Sequence, residues 1–201
     1  MELNILTILY LFFRLAPFIL VSFFSLASIF NQDFKGLIYL IGLIFACFIT
    51  MMIGNVLPSW LMAQNPSEIC NMITIGNTPA FSKLPLGQCI FGYTFFYLLY
   101  TMYKNKVLLQ NYPTLIFFPL VIIVDMFWNL SNGCYNVIQL PISLLIGGGI
   151  GYLWSYILYK SKNTGLQYFN KITGKDVCSR PTKNTFKCSV YKNGKLISKN
   201  I

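Results

Sequence analysis

Two ionisable side chains lie well inside apolar runs of the sequence: Arg14, in the run from residue 5 to 30, and Asp125, in the run from residue 113 to 130. Charges inside a bilayer are costly unless they are paired or hydrated. Counted at about 1.5 Å per residue from the helix ends, both fall in the outer half of the bilayer, at depths that could match. The structural interpretation is an ion pair between the first and fourth runs; the functional one is a conduction or proton route.

Four uncharged polar residues are candidates for a pocket that binds a lipid headgroup or a small solute: Asn65, Gln88, Gln139 and Ser143. Amide and hydroxyl groups both donate and accept hydrogen bonds, which suits them to a headgroup. Glutamines that hydrogen-bond between neighbouring helices are the alternative explanation. The sequence leaves both interpretations open.

The side chains that are missing limit the chemistry further. The chain contains no histidine, which excludes histidine-based acid–base catalysis, histidine nucleophiles and histidine-ligated metal or haem sites. Six cysteines form no C-x-x-C pair, so we expect no metal site and no cofactor. We interpret most of them as apolar packing residues or free thiols. A nucleophile at Cys70, Cys89 or Cys134 would have no recognisable partner base, and we therefore predict a protein that is not an enzyme.

These residues must be positioned by helices in a membrane. Hydrophobic residues make up 56% of the chain and charged residues only 10%, a composition typical of membrane proteins. We predict an all-α polytopic bundle in residues 1–160 and a short amphipathic surface helix that begins near Asn65. The five predicted spans lie at about residues 5–30, 36–57, 84–103, 113–130 and 137–159.

The last span carries small residues at every fourth position: Ser143, Gly147, Gly151 and Ser155. This spacing places them on one face of the helix. In lipid, such a face lets another helix backbone approach closely. We predict that the last span packs through this face.

Residues 161–201 form a polar tail of a different character, because ten of the 15 basic residues lie between Lys160 and Lys199. Apolar and polar residues alternate around Asn193-Gly194, a dipeptide typical of type I′ turns, which predicts a β-hairpin at about residues 185–198. The residues that we expect to face a protein partner are Arg180, Lys183, Phe186, Lys187, Tyr191, Lys192 and Lys195.

Charge asymmetry predicts the orientation of the bundle. Five spans place the two termini on opposite sides of the membrane. The tail side also carries Lys35, Lys104 and Lys106, whereas the loops of the other side carry only Lys83. By the positive-inside rule, the tail therefore faces the cytoplasm.

Three segments resemble the motifs of type 2 phosphatidic acid phosphatases, a family of integral membrane enzymes. Pro85-Leu86-Gly87-Gln88 resembles the family's P-S-G-H, Gln139-x-x-x-Ser143 resembles its H-x-x-x-D, and Asn65-Pro66 stands where the family has the R-P of K-x6-R-P. The resemblance covers roughly residues 36–160. It implies a phosphatase-like bundle whose motifs meet at one membrane pole.

The same resemblance implies that catalysis has been lost. In that family one histidine attacks the phosphoryl group, a second protonates the leaving group with the help of an aspartate, and basic residues stabilise the anion. An amide has neither a usable nucleophilic nitrogen nor a pKa near neutrality, so this route is excluded here. The corresponding positions in this chain are Gln88, Gln139, Ser143, Asn132-Gly133, Pro58 and Asn65.

Composition and topology carry a second resemblance. A small polytopic protein rich in Ile, Asn, Lys, Phe and Tyr, with a degenerate phosphatase-like bundle and a short basic tail, is similar to membrane proteins encoded by large nucleocytoplasmic DNA viruses. This resemblance implies a place in the virion's internal membrane, which derives from a host membrane, with the tail directed at the capsid shell.

The sequence thus favours a non-enzymatic membrane scaffold or anchor that presents a basic tail to a protein partner on the cytoplasmic side. The alternative is a lipid or small-solute binding or transport protein built on a bundle that has lost catalysis. Membrane lipids are expected partners in either case, and no specific nucleic-acid partner is expected.

Overall fold

A computed structural model describes residues 5–58, 70, 82–161, 166–167, 189–192 and 195–199. For residues 5–11, 13 and 14, and for residues 189–192 and 195–199, only the course of the main chain is described. The chain divides into two units, Met1–Lys171 and Ile172–Ile201. Each unit is described by itself below.

In the described part of the first unit, five α-helices occupy the five ranges predicted for the spans. They are α1 (Ile5–Phe30), α2 (Lys35–Val56), α3 (Leu86–Asn105), α4 (Tyr112–Ser131) and α5 (Gln139–Lys160), with a 3₁₀ turn at Leu108–Gln110 before α4. Three of them, α2, α4 and α5, are long and apolar enough to cross a membrane. This all-helical unit therefore has the character of a membrane protein.

The outward-facing side chains of these three helices also indicate a lipid environment. Only 33% of the apolar window in α2, and 28% of it in α4 and in α5, is buried within the protein. Large apolar side chains such as Ile44, Phe127 and Leu153 point outward. So many exposed apolar residues would be unfavourable in water but match the hydrocarbon of a bilayer.

The central helix is α3, which contacts each of the other four helices. Twelve of its 20 residues are buried. Three tyrosines from α2 and α3, Tyr39, Tyr93 and Tyr97, are fully buried beside one another. Two of the hydroxyl groups make hydrogen bonds within the core: the Tyr39 hydroxyl lies 2.6 Å from Thr94 Oγ1, and the Tyr93 hydroxyl donates to the Tyr39 carbonyl oxygen at 3.0 Å.

Two short connections end their helices by local backbone geometry. Lys106 closes α3 in the left-handed conformation, with φ of 57°, and Gly133 turns the chain after α4 with φ of 63°. Glycine adopts positive φ without a steric penalty, which suits it to this tight connection. The turn brings the start of α5 back beside the start of α3.

The second unit contains two antiparallel strands, β1 (Ser189–Lys192) and β2 (Lys195–Lys199). Tyr191 pairs with Leu196 and Lys192 with Lys195. The predicted surface helix of the first unit lies outside the described residues, apart from Cys70.

Candidate functional site

The polar residues singled out in the sequence meet at one end of the bundle, which we call the outer pole. It comprises Cys70, residues 82–88 around the start of α3, and residues 125–143, which include the end of α4, the connection to α5 and the first turns of α5. Within it lie Gln88, Gln139 and Ser143, the three described positions of the predicted pocket.

Gln88 and Asn129 both bind the carboxyl group of Asp125. Gln88 Nε2 donates to Asp125 Oδ2 at 2.6 Å and, more weakly, to the Ile122 carbonyl oxygen at 3.4 Å. Asn129, one turn further along α4, donates from Nδ2 to the same Asp125 Oδ2 at 3.0 Å and to the Asp125 carbonyl oxygen at 2.7 Å. The buried carboxyl group thus links the first turn of α3 to α4.

Two oxygens of this cluster have no donor in the described structure. Gln88 Oε1 and Asn129 Oδ1 are buried and lack a hydrogen-bond partner. Flipping either amide would turn its NH₂ group away from acceptors that it now satisfies, so the orientations are fixed by the network. A buried carbonyl oxygen without a donor is destabilising, and a polar ligand would find two acceptors here.

Gln139 and Ser143 bind a different segment, the main chain that leads into α3. Gln139 Nε2 donates to the Lys83 carbonyl oxygen at 2.9 Å, and its Oε1 accepts from the Asn136 backbone N–H at 2.7 Å. Ser143 Oγ donates to the Pro85 carbonyl oxygen at 2.7 Å. Both side chains are buried. Their hydrogen-bonding groups therefore fasten α5 to the start of α3.

Two predicted site residues remain untested. Asn65 lies outside the described residues, and so does the side chain of Arg14. The helix α1 nevertheless passes close to the start of α3, because Pro17, about one turn beyond Arg14, lies beside Gly87. The ion pair between Arg14 and Asp125 stays a prediction.

A disulfide joins Cys70 to Cys134 at the outer pole, with a Cα–Cα distance of 5.4 Å. The expectation that most cysteines are packing residues or free thiols is therefore wrong for these two. The available signal was their location: Cys70 lies between the second and third predicted spans and Cys134 between the fourth and fifth, and five spans place these two connections on the same side of the membrane. Cys47 and Cys89 are free thiols within α2 and α3.

The small-residue face of α5 lies against α3 and the segment before it. A Cβ atom added at Gly147 would clash with the Cys89 carbonyl oxygen, and one added at Gly151 would clash with the Tyr93 carbonyl oxygen. Ser155 Oγ lies 3.0 Å from Thr101 Oγ1. Backbones of the two helices are therefore in direct contact, and both helices run in the same direction.

The partner-facing residues predicted in the tail fall on the second unit. Tyr191 and Lys192 lie on β1, and Lys195 begins β2. Arg180, Lys183, Phe186 and Lys187 lie outside the described residues. Their exposure to a partner stays a prediction.

Neither a metal cluster nor a known relative assigns chemistry to the outer pole. Within the described ranges, no three His, Cys, Asp or Glu side chains are grouped so as to hold a metal ion. No protein family, curated protein or solved structure matches the chain. The fold and the site are those of a helical membrane protein in which amide hydrogen bonds and a disulfide hold the helices together at the outer pole.

Proposed function

We propose that the protein is a non-enzymatic membrane anchor, in which five helices cross one bilayer and present the basic tail to a protein partner in the cytoplasm. The observation that carries the proposal is the charge distribution, with ten of 15 basic residues between Lys160 and Lys199. Three parts of the structure support it: the position of α3, the disulfide, and the hydrogen bonds at the phosphatase-like positions.

The packing around α3 supports the proposal of five crossings. This helix has 20 residues, about 30 Å of length, and contacts α2, α4 and α5, the three helices of membrane length. Its polar residues, such as Thr94 and Thr101, are buried inside the bundle and need no contact with lipid. The helix α1 packs on α2, α3 and α4 and supplies the fifth crossing.

The disulfide supports the orientation independently of the charges. Disulfides persist in oxidising compartments and are rare in the cytosol. The bond between Cys70 and Cys134 lies at the outer pole, opposite the pole that holds Lys104, Lys106 and the end of α5. Chemistry and charge thus favour the same arrangement, with the tail on the cytoplasmic side.

Three side chains at the phosphatase-like positions form hydrogen bonds within the protein. Gln88 binds Asp125, Gln139 binds Lys83 and Asn136, and Ser143 binds Pro85. These amide and hydroxyl groups hold helices together at the positions where the phosphatases carry catalytic groups. This use of the site supports an anchor on a phosphatase-like bundle without catalysis.

The partner that suits the tail is an acidic protein surface. If the resemblance to viral membrane proteins holds, that surface would belong to the capsid shell that faces the virion's internal membrane. The strand pair β1–β2 gives the basic residues Lys192 and Lys195 a defined register, and the proposal treats this hairpin as the recognition unit.

Deletion of residues 165–201 tests the anchor. The truncated protein should still insert into membranes, because α1 to α5 remain, but the partner captured by the full chain from solubilised membranes should be lost. A matched control replaces only Lys104 and Lys106 by Gln, which removes basic charge near the end of α3 while keeping the tail. Unchanged capture after the deletion would refute the proposal.

One observation favours the alternative function, a lipid or solute binder. Gln88 Oε1 and Asn129 Oδ1 are buried acceptors without a partner in the described structure, and a bound donor group would satisfy them. A Gln88→Leu variant separates the two functions. A specifically bound lipid or solute should disappear from the purified variant by mass spectrometry, whereas an anchor should recruit its partner as before.

A further inference from the structure

Five tyrosines and one lysine form a cluster on α3 and α5, toward the end of the bundle opposite the outer pole, and we call this surface the inner patch: Tyr100, Tyr103, Lys104, Tyr152, Tyr156 and Tyr159. The Lys104 ammonium lies 5.7, 5.8 and 5.6 Å from the ring centroids of Tyr100, Tyr103 and Tyr159. The Tyr100 ring in turn makes edge-on contacts with Tyr152, Tyr156 and Tyr159.

The rings hold the lysine without neutralising it. Cation–π contacts orient an ammonium group and leave its positive charge in place. Among the described residues, a salt bridge joins Lys35 to Asp33, and Lys104 has no carboxylate partner. Lys106 and Lys160, both exposed, follow in the chain at the ends of the same two helices.

Two tyrosines of the inner patch are exposed at the ends of their helices. Tyr103 is 63% exposed and Tyr159 41% exposed, and both lie within the last turn of their helices. Tyrosines at a membrane interface pack their rings against the glycerol region and keep their hydroxyls in the polar layer. The patch thus combines an oriented ammonium group, several hydroxyl donors and an apolar wall.

We propose that the inner patch binds the phosphate of an anionic phospholipid. The Lys104 ammonium and the tyrosine hydroxyls donate to the phosphate oxygens, and the rings of Tyr103 and Tyr159 pack against the adjoining glycerol. Anionic lipids are enriched in the cytoplasmic leaflet and attract basic residues there. This inference rests on the proposed orientation but not on any protein partner of the tail.

Native mass spectrometry of the detergent-solubilised full chain tests the site. The protein is titrated with phosphatidylserine and, separately, with phosphatidylcholine of the same acyl chains. We expect wild type to retain phosphatidylserine preferentially. Lys104→Gln should weaken that binding about five-fold, the equivalent of about 1 kcal/mol for one interfacial lysine.

The control is Lys83→Gln, which removes one exposed lysine from the outer pole and should leave phosphatidylserine binding unchanged. Tyr159→Leu should weaken binding with the charge intact. Equal retention of both lipids by wild type, or the same loss in Lys83→Gln as in Lys104→Gln, would overturn the proposal. An acidic peptide that binds the patch while phosphatidylserine does not would also overturn it, in favour of a protein ligand.

The outcome is distinguishable from failure of the anchor. Lipid selectivity is measured without a protein partner, and Lys104→Gln keeps the whole tail. Loss of selectivity with partner capture intact would assign the lipid to the patch, whereas loss of capture after tail deletion concerns residues 165–201 alone.

Discussion

Gln88 links two helices of the bundle through a single buried amide group. Its NH₂ group donates to the Asp125 carboxyl group across the boundary between α3 and α4, and the residue is fully buried. A histidine at this position could exchange protons near neutral pH, whereas an amide cannot. The side chain therefore contributes to helix association.

Replacement of this amide by an apolar side chain should destabilise the bundle. We expect Gln88→Leu to lower the free energy of unfolding by about 1–2 kcal/mol, because Asp125 loses a buried donor. Thermal unfolding in a neutral detergent measures the change. Gln110→Leu is the control, since Gln110 is exposed in the 3₁₀ turn, and equal stability of both variants would contradict the network.

At the residue scale, the sequence predicted polar character but not partners. Gln139 and Ser143 could be placed at the outer pole from motif order alone. Their acceptors, the Lys83 and Pro85 carbonyl oxygens, are main-chain atoms more than fifty residues earlier, and no side-chain pattern identifies a main-chain acceptor. The Cys70–Cys134 bond, across 64 residues, has no spacing motif that could have revealed it.

Between elements, the closest association is the parallel pair α3–α5. The four-residue spacing of Ser143, Gly147, Gly151 and Ser155 identified the face of α5 that would pack, because helical periodicity depends only on spacing. It could not identify α3 as the partner, since α3 offers a facing surface built from the backbone at Cys89 and Tyr93. Backbone surfaces are invisible in a sequence pattern.

Added methyl groups on this face should separate the two helices. Gly147→Ala and Gly151→Ala place a Cβ against the carbonyl oxygens of Cys89 and Tyr93, and we expect a loss of about 1–3 kcal/mol each, as for other overpacked sites. Gly149→Ala is the matched control on the same helix, because nothing lies within 4 Å of its added Cβ.

The measurement for these glycine variants is again thermal unfolding in detergent. Gly149→Ala should be as stable as wild type or slightly more stable, since alanine favours helix more than glycine does. Equal stability of all three alanine variants would show that α3 and α5 can move apart at no cost.

For the whole molecule, the central question is which pole faces which compartment. Sequence hydrophobicity placed five helices in the chain, but α3 is not apolar enough to count as a span by hydropathy, because it carries polar residues and tyrosines. Many of these residues are buried against the neighbouring helices. The disulfide distinguishes the two poles of the bundle, which hydropathy does not do.

Cysteine labelling on sealed membrane vesicles tests which side of the membrane each pole faces. In a Cys70→Ser variant, we expect Cys134 to react with a membrane-impermeant maleimide added from the extracytoplasmic side. In wild type, it should react only after reduction. Tail cysteines Cys178 and Cys188 should react from the cytoplasmic side, and labelling of Cys134 and the tail cysteines from one side would refute the five-span arrangement.

The bridge between Cys70 and Cys134 also bears on biogenesis. Two helices, α3 and α4, lie between the bonded residues, so in the proposed five-span arrangement the second thiol reaches the compartment of the first after both helices have crossed the membrane. A chain in which only one of the two helices crossed would leave its thiols in separate compartments and could not close the bond. Formation of this disulfide would then indicate that both helices had been inserted into the membrane.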